Sequence, residues 1–155
     1  MKGKKKKADM RTFKTLFIIT LCVVAVIWGH SMMPGEISLK ESGFFKELLI
    51  SLGFSEALAD EFSIRKLAHF IEYMVLGILI TLDFYTLTQK TVRFLLPIVS
   101  ISHFVALVDE TIQLFVTGRS GSLLDVWLDL SGSLAGIAFI MAVIYFVGEY
   151  KKDRV

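Results

Sequence analysis

The residues with chemical capacity are concentrated in stretches that are otherwise apolar. Arg65, Lys66, His69, Glu72 and Tyr73 follow one another at offsets that put them along one stripe of a helix. His103, Glu110 and Gln113 fall near one face of a later helix, with Asp109 beside them. Asp125 and Asp129 stand four residues apart, then Ser133. Carboxylates next to an imidazole are the ingredients of acid–base catalysis, which makes Glu72, His69, Asp109 and Glu110 the catalytic candidates. Guanidinium and ammonium groups hold a phosphate or carboxylate. Arg65, Lys66 and Arg119, with Tyr73, Gln113, Asp125 and Asp129 around them, are therefore the ligand-binding candidates. A metal site on the H-x-x-E pair His69 and Glu72, completed by Asp109 or Glu110, is a further option, although that spacing is common by chance. The residues identify no cofactor.

The elements that must position these groups are membrane helices. Hydrophobic residues make up 54% of the 155, with a mean hydropathy of +0.64. That is more than a soluble domain carries, and the length suits a single domain. Apolar stretches near the 20 or so residues needed to cross a bilayer predict spans at about 13–30, 66–87, 93–116 and 123–147. The expected fold class is all-α, a polytopic bundle of four transmembrane helices. The basic residues 1–12 and residues 148–155 form tails flanking the membrane domain 13–147. No small-residue cleavage site follows the first stretch, so it is read as a retained helix rather than a signal peptide. The one long loop, residues 31–65, opens with Pro34-Gly35. Phe44, Phe45, Leu48, Leu49 and Leu52 recur in it at helical spacing, which predicts a short amphipathic helix on the membrane surface. Cys22 has no partner for an internal disulfide, and a net charge of +2 offers no field for nucleic acid.

The positive-inside rule orients the chain. Twelve of the 17 Lys and Arg fall on the side of the two termini, and five (Lys40, Lys46, Arg65, Lys66 and Arg119) on the other. Both termini are thus expected in the cytoplasm of a bacterial plasma membrane, with the long loop outside. By helix rise, Glu72, Glu110 and Asp129 each lie about 9 Å below the outer end of their helices. Charges at that depth must face the bundle interior or a wet cavity. Arg65 with Glu72, and Arg119 with Asp109 or Asp125, are the expected ion pairs. Gly132 and Gly136 form a G-x-x-x-G pattern that permits close helix contact.

The pattern Arg65-Lys66-Leu67-Ala68-His69-Phe70-x-Glu72-Tyr73 with Leu76-Gly77 resembles the first signature of the VanZ-like membrane protein family. Asp109-Glu110-x-x-Gln113-x-Phe115, Gly118-Arg119, Asp125, Asp129, Gly132 and Gly136 resemble its second. Ser31 to Gly35 and Ser42 also fit, whereas Thr117 stands where the family commonly has Pro. The family's namesake is associated with low-level resistance to teicoplanin, a lipoglycopeptide acting on the Gram-positive cell wall. The resemblance therefore implies membrane topology and an envelope context, and no reaction. Three functional classes follow. One is a site that binds or modifies a lipid-linked or anionic envelope headgroup. Another is a non-enzymatic scaffold or shield whose charges are structural. The third, transport, lacks a visible path, since only His103 carries polarity toward the inner half. Whether the site catalyses, and in what oligomeric state, the residues leave open.

Overall fold

The computed structural model describes residues 10–53, 61–88 and 91–152. They form five helices: α1 Met10–Ser31, α2 Gly35–Ser51, α3 Glu61–Thr88, α4 Leu95–Gln113 and α5 Leu123–Lys152. A 3₁₀ turn, Thr91–Phe94, leads into α4. Four stretches, Met10–Ser31, Ile64–Thr88, Thr91–Gln113 and Leu123–Val147, are long and apolar enough to cross a membrane. This is the expected four-helix membrane bundle, and its outer surface is apolar: Leu96, Leu123, Leu124 and Phe115 are each at least three-quarters or nearly so exposed. A surface of that kind calls for lipid rather than water as its solvent.

The helix ends depart from the sequence reading where hydropathy stops being the determinant. α3 begins at Glu61, before the apolar stretch at residue 66, because a helix continues through polar residues once its ladder is formed. α4 ends at Gln113 rather than 116, and the chain then tightens into a turn with Gly118 at φ 76°. Only glycine takes that conformation without strain. α5 starts on a Ser122 cap, whose hydroxyl accepts from the Leu124 N–H at 3.2 Å and whose carbonyl accepts from Asp125 and Val126.

The expected surface helix is present but longer than its apolar pattern suggested, running from Gly35 through Gly43 to Ser51. The Pro34 carbonyl accepts from Ile37 and Ser38 to start it, at a position where proline's missing N–H costs nothing. Its orientation is the informative feature. Ser38 and Ser42 are buried, whereas Ile37, Leu39, Phe44, Phe45 and Leu48 are exposed. α2 therefore turns its small polar residues toward the bundle and most of its large apolar ones away from it, with Phe45 bordering the space between α2 and α3.

The tightest joint is between α3 and α5. A Cβ on Gly136 would sit 2.0 Å from the Met74 carbonyl oxygen, one on Gly132 2.4 Å from that of Phe70, and one on Gly77 2.3 Å from that of Ser133. Glycine at these three positions lets the two backbones touch, as the G-x-x-x-G pattern predicted. Ser133 adds a hydrogen bond, donating to the Tyr73 carbonyl at 3.2 Å. The apolar core around Ile27, Leu76, Ile98, Val105 and Ile137 is completed from α1 and α4.

Candidate functional site

Because glycines bring α3 and α5 into contact at Gly132, the side chains one turn away on each helix converge with those of α4. Asp109 on α4 and Asp129 on α5 are both completely buried. His69 on α3 lies between them, its Nδ1 3.7 Å from Asp109 Oδ2 and 3.7 Å from Asp129 Oδ1. All four carboxylate oxygens are buried and none has a hydrogen bond of regular geometry, although the Tyr73 and Ser31 hydroxyls lie close enough to Asp109 to interact with it.

Glu110 points the other way and closes the α4–α5 turn. Its Oε2 accepts from the Ser122 N–H at 2.7 Å, and its Oε1 from Gln113 Nε2 at 3.0 Å. Gln113 also reaches Ser31 Oγ at 3.4 Å, which ties the end of α1 to α4. Gly121 packs so closely on the Glu110 carbonyl that a Cβ there would sit 2.5 Å from it. This geometry makes Glu110 a clamp on the turn, with both of its oxygens engaged.

Arg119 does not form the ion pairs expected for it. Its Nε donates to the Met33 carbonyl at 3.0 Å and its Nη2 to the His30 carbonyl at 2.8 Å. It thereby satisfies the Met33 carbonyl and adds a second donor to the His30 carbonyl, which already accepts from the Met33 N–H at 3.1 Å. The α1–α2 and α4–α5 turns also meet directly, Gly35 N–H donating to the Thr117 carbonyl at 3.1 Å. The third guanidinium nitrogen, Nη1, is buried without a hydrogen-bond partner. Burial lowers the Arg119 pKa from its ordinary value, which still leaves a guanidinium charged at neutral pH.

The other expected pair, Arg65 with Glu72, is replaced as well. Glu72 Oε1 meets His30 Nδ1 at 2.8 Å, and among the described residues Arg65 makes no ion pair within 4.0 Å. Lys66 pairs with Asp125 at 3.2 Å, both partly exposed. The H-x-x-E metal set is thus not assembled as its spacing suggested: His69 faces Asp109 and Asp129, whereas Glu72 faces His30.

Two openings adjoin these groups. A cavity of about 20 Å³ is lined by Arg65, Lys66, His69, Glu110, Asp125 and Asp129, among others. A cleft of about 230 Å³ lies between α2 and α3, lined by Ser38, Glu41 and Ser42 on one side and by Arg65, His69, Glu72, His30 and Arg119 on the other. Every sequence-derived candidate is at this end of the bundle, and His69 and Arg65 line both openings. His30 was missed because it closes the first apolar stretch, where nothing in the local pattern points at Glu72.

Sequence reasoning also passed over Asp83, at the opposite end of α3. It is buried, and Thr20 Oγ1 donates to its Oδ2 at 2.8 Å. Its signal was an acidic residue deep in an apolar span. His103, buried at Nδ1 without a partner, has its ring tilted 44° to that of Trp127 with centroids 6.3 Å apart, and joins neither group.

A sequence model of the VanZ/LLP1 family matches residues 16–145 of the chain. Neither a curated protein nor a solved structure shows significant similarity to it.

Proposed function

We propose that this chain, which belongs to the VanZ/LLP1 family, holds the anionic part of an envelope lipid or lipid-linked headgroup in the cleft between α2 and α3. The observation that carries the reading is the pair of arginines there. Arg65 lines the cleft without an ion-pair partner among the described residues, and Arg119 keeps the Nη1 donors unpaired. Two guanidinium groups with free donors suit a phosphate or carboxylate. The orientation of α2 supports the same reading, because a helix with serines inward and Ile37, Leu39, Phe44 and Leu48 outward belongs against acyl chains with its polar face over a headgroup. The positive-inside count supports a position of this end at the outer leaflet of a bacterial plasma membrane, with both termini in the cytoplasm. A headgroup site there is a route by which the protein contributes to glycopeptide resistance of the teicoplanin type.

Glu72 with His30, both lining the cleft, would supply acid–base chemistry if the headgroup is modified. Binding is tested first. Purified full-length protein in detergent is titrated with phosphatidylglycerol, a polyprenyl phosphate and phosphatidylcholine, following its thermal transition. Stabilisation by the anionic lipids, about tenfold weaker in affinity for Arg65→Gln, is the expected result, a change of about 1.4 kcal/mol. No shift with any lipid of that panel overturns the reading.

The scaffold reading has its own specific support: Arg119 and Glu110 both brace turns, through the His30 and Met33 carbonyls and the Ser122 N–H. On that reading, cluster variants lower the amount of protein in the membrane and leave activity per molecule unchanged. Measuring abundance beside phenotype separates the two.

A further inference from the structure

The His69, Asp109 and Asp129 group has a geometry that headgroup binding does not explain. The two carboxylates are fully buried, and none of their four oxygens has a hydrogen bond of regular geometry; the Ser31 and Tyr73 hydroxyls lie near Asp109, and Asp129 has no such neighbour. Two carboxylates in that state are tolerated if they hold protons or if a positive charge compensates them. Of the fixed cations nearby, Lys66 pairs with Asp125 and Arg119 reaches the carbonyls at the end of α1, while Arg65 lines the small cavity without coming within 4.0 Å of either aspartate. Among the described residues, the only basic side chain within 4.0 Å of either carboxylate is His69.

The distances then discriminate between a hydrogen-bonded triad and a coordination site. At 3.7 Å, both His69 contacts are too long for hydrogen bonds. Two ligands held tetrahedrally by one ion at about 2.1 Å stand roughly 3.4 Å apart, close to what is found. One donor atom from each of the three residues lies within 4.8 Å of the others. The neighbouring cavity of about 20 Å³, which His69, Asp129 and Glu110 help to line, has room for one water on the open side.

We propose that His69, Asp109 and Asp129 bind a divalent transition-metal cation, zinc by the donor set, with a fourth position open to the small cavity. One imidazole and two carboxylates match the three-ligand, open-site pattern of zinc better than the all-oxygen shells of magnesium or calcium. The cation neutralises both aspartates and ties α3, α4 and α5 together at the level where their polar residues meet. This site goes beyond the headgroup reading and does not depend on it, since none of its three ligands is one of the cleft arginines.

The test uses the full chain purified in detergent, stripped with EDTA, incubated with zinc or with manganese chloride, and desalted. Elemental analysis is expected to give about one metal ion per chain for wild type and for the remote variant Asp83→Asn, and well under half of that for Asp109→Asn and Asp129→Asn. Zinc is expected to raise the thermal transition of the wild type and leave those two variants unmoved. Retention of manganese but not zinc supports the site and overturns the choice of ion. Should either variant fail to fold, cobalt replaces zinc in the wild type. Intense visible bands of a four- or five-coordinate ion support the proposal, and the weak spectrum of the hexaaqua ion overturns it. Wild type that retains no more zinc or manganese than Asp129→Asn also overturns it, whatever the lipid titration shows.

Discussion

The two ends of this bundle both bury acid in an apolar setting, and they do so with opposite consequences. At one end Asp83 meets a single hydroxyl from Thr20, in a surrounding of Phe84, Ile80, Leu87 and Val24. At the other, Asp109, Asp129, Glu110 and Glu72 arrive from three helices beside two arginines, two histidines and an open cleft. A lone carboxylate with one donor serves as a helix-to-helix tether between α1 and α3. Convergence, unpaired donors and access to the outside are what distinguish a candidate site from such a tether, and burial alone does not.

That contrast can be broken most severely through the frame that both ends share. Gly136→Leu forces a side chain where even a Cβ meets the Met74 carbonyl. The expected cost is about 3 kcal/mol or more, seen as loss of the cooperative transition in detergent; an unchanged transition would mean that α3 and α5 do not touch there. Next comes Glu110→Ala, which removes the acceptor of the Ser122 N–H and of Gln113 at one end only. Hydrogen bonds to a charged group set the expected loss at about 2–3 kcal/mol. Glu110→Gln, which keeps one acceptor, should recover about half of it.

Asp83→Ala sharpens the comparison from the other side. With Asp83 gone, the Thr20 hydroxyl can turn its one proton to the Leu16 carbonyl, 3.1 Å away, so it is not orphaned, and Asp83 Oδ1 is already without a partner. Stability is therefore expected within about 1 kcal/mol of wild type, with lipid and metal binding unaltered. Loss of either binding in this variant would end the distinction between the two ends. The smallest effect belongs to Lys66→Met, since its partner Asp125 and the lysine itself are both partly exposed. A change below about 1 kcal/mol is expected from unfolding measurements.

The spans, the glycine contact and the polar end were legible in the sequence because they depend on composition and on helical period. Gly132 and Gly136 announced a close approach by their spacing, and Glu72, Glu110 and Asp129 announced a common level by helix rise. Partners were not legible. Arg119 reaches the end of α1, 86 and 89 residues away in sequence, and Glu72 reaches His30, 42 residues away. Charge sign suggested acids for both arginines, whereas the carbonyls where α1 ends were the nearer acceptors for Arg119. The inward face of α2 was hidden for a related reason: its phenylalanines and leucines predict an apolar stripe, and only packing on α3 shows that most of the stripe turns away from the bundle.

Four apolar helices and the end at which polar residues gather were thus determined by the sequence alone, because lipid as solvent demands long apolar helices and penalises every charge that faces it. The tertiary structure decided which charges meet. Rotation and crossing of the helices set distances of a few ångströms that no periodicity encodes. Those distances put His69 between two buried aspartates, sent Arg119 to backbone carbonyls, and left the cleft beside α2 open.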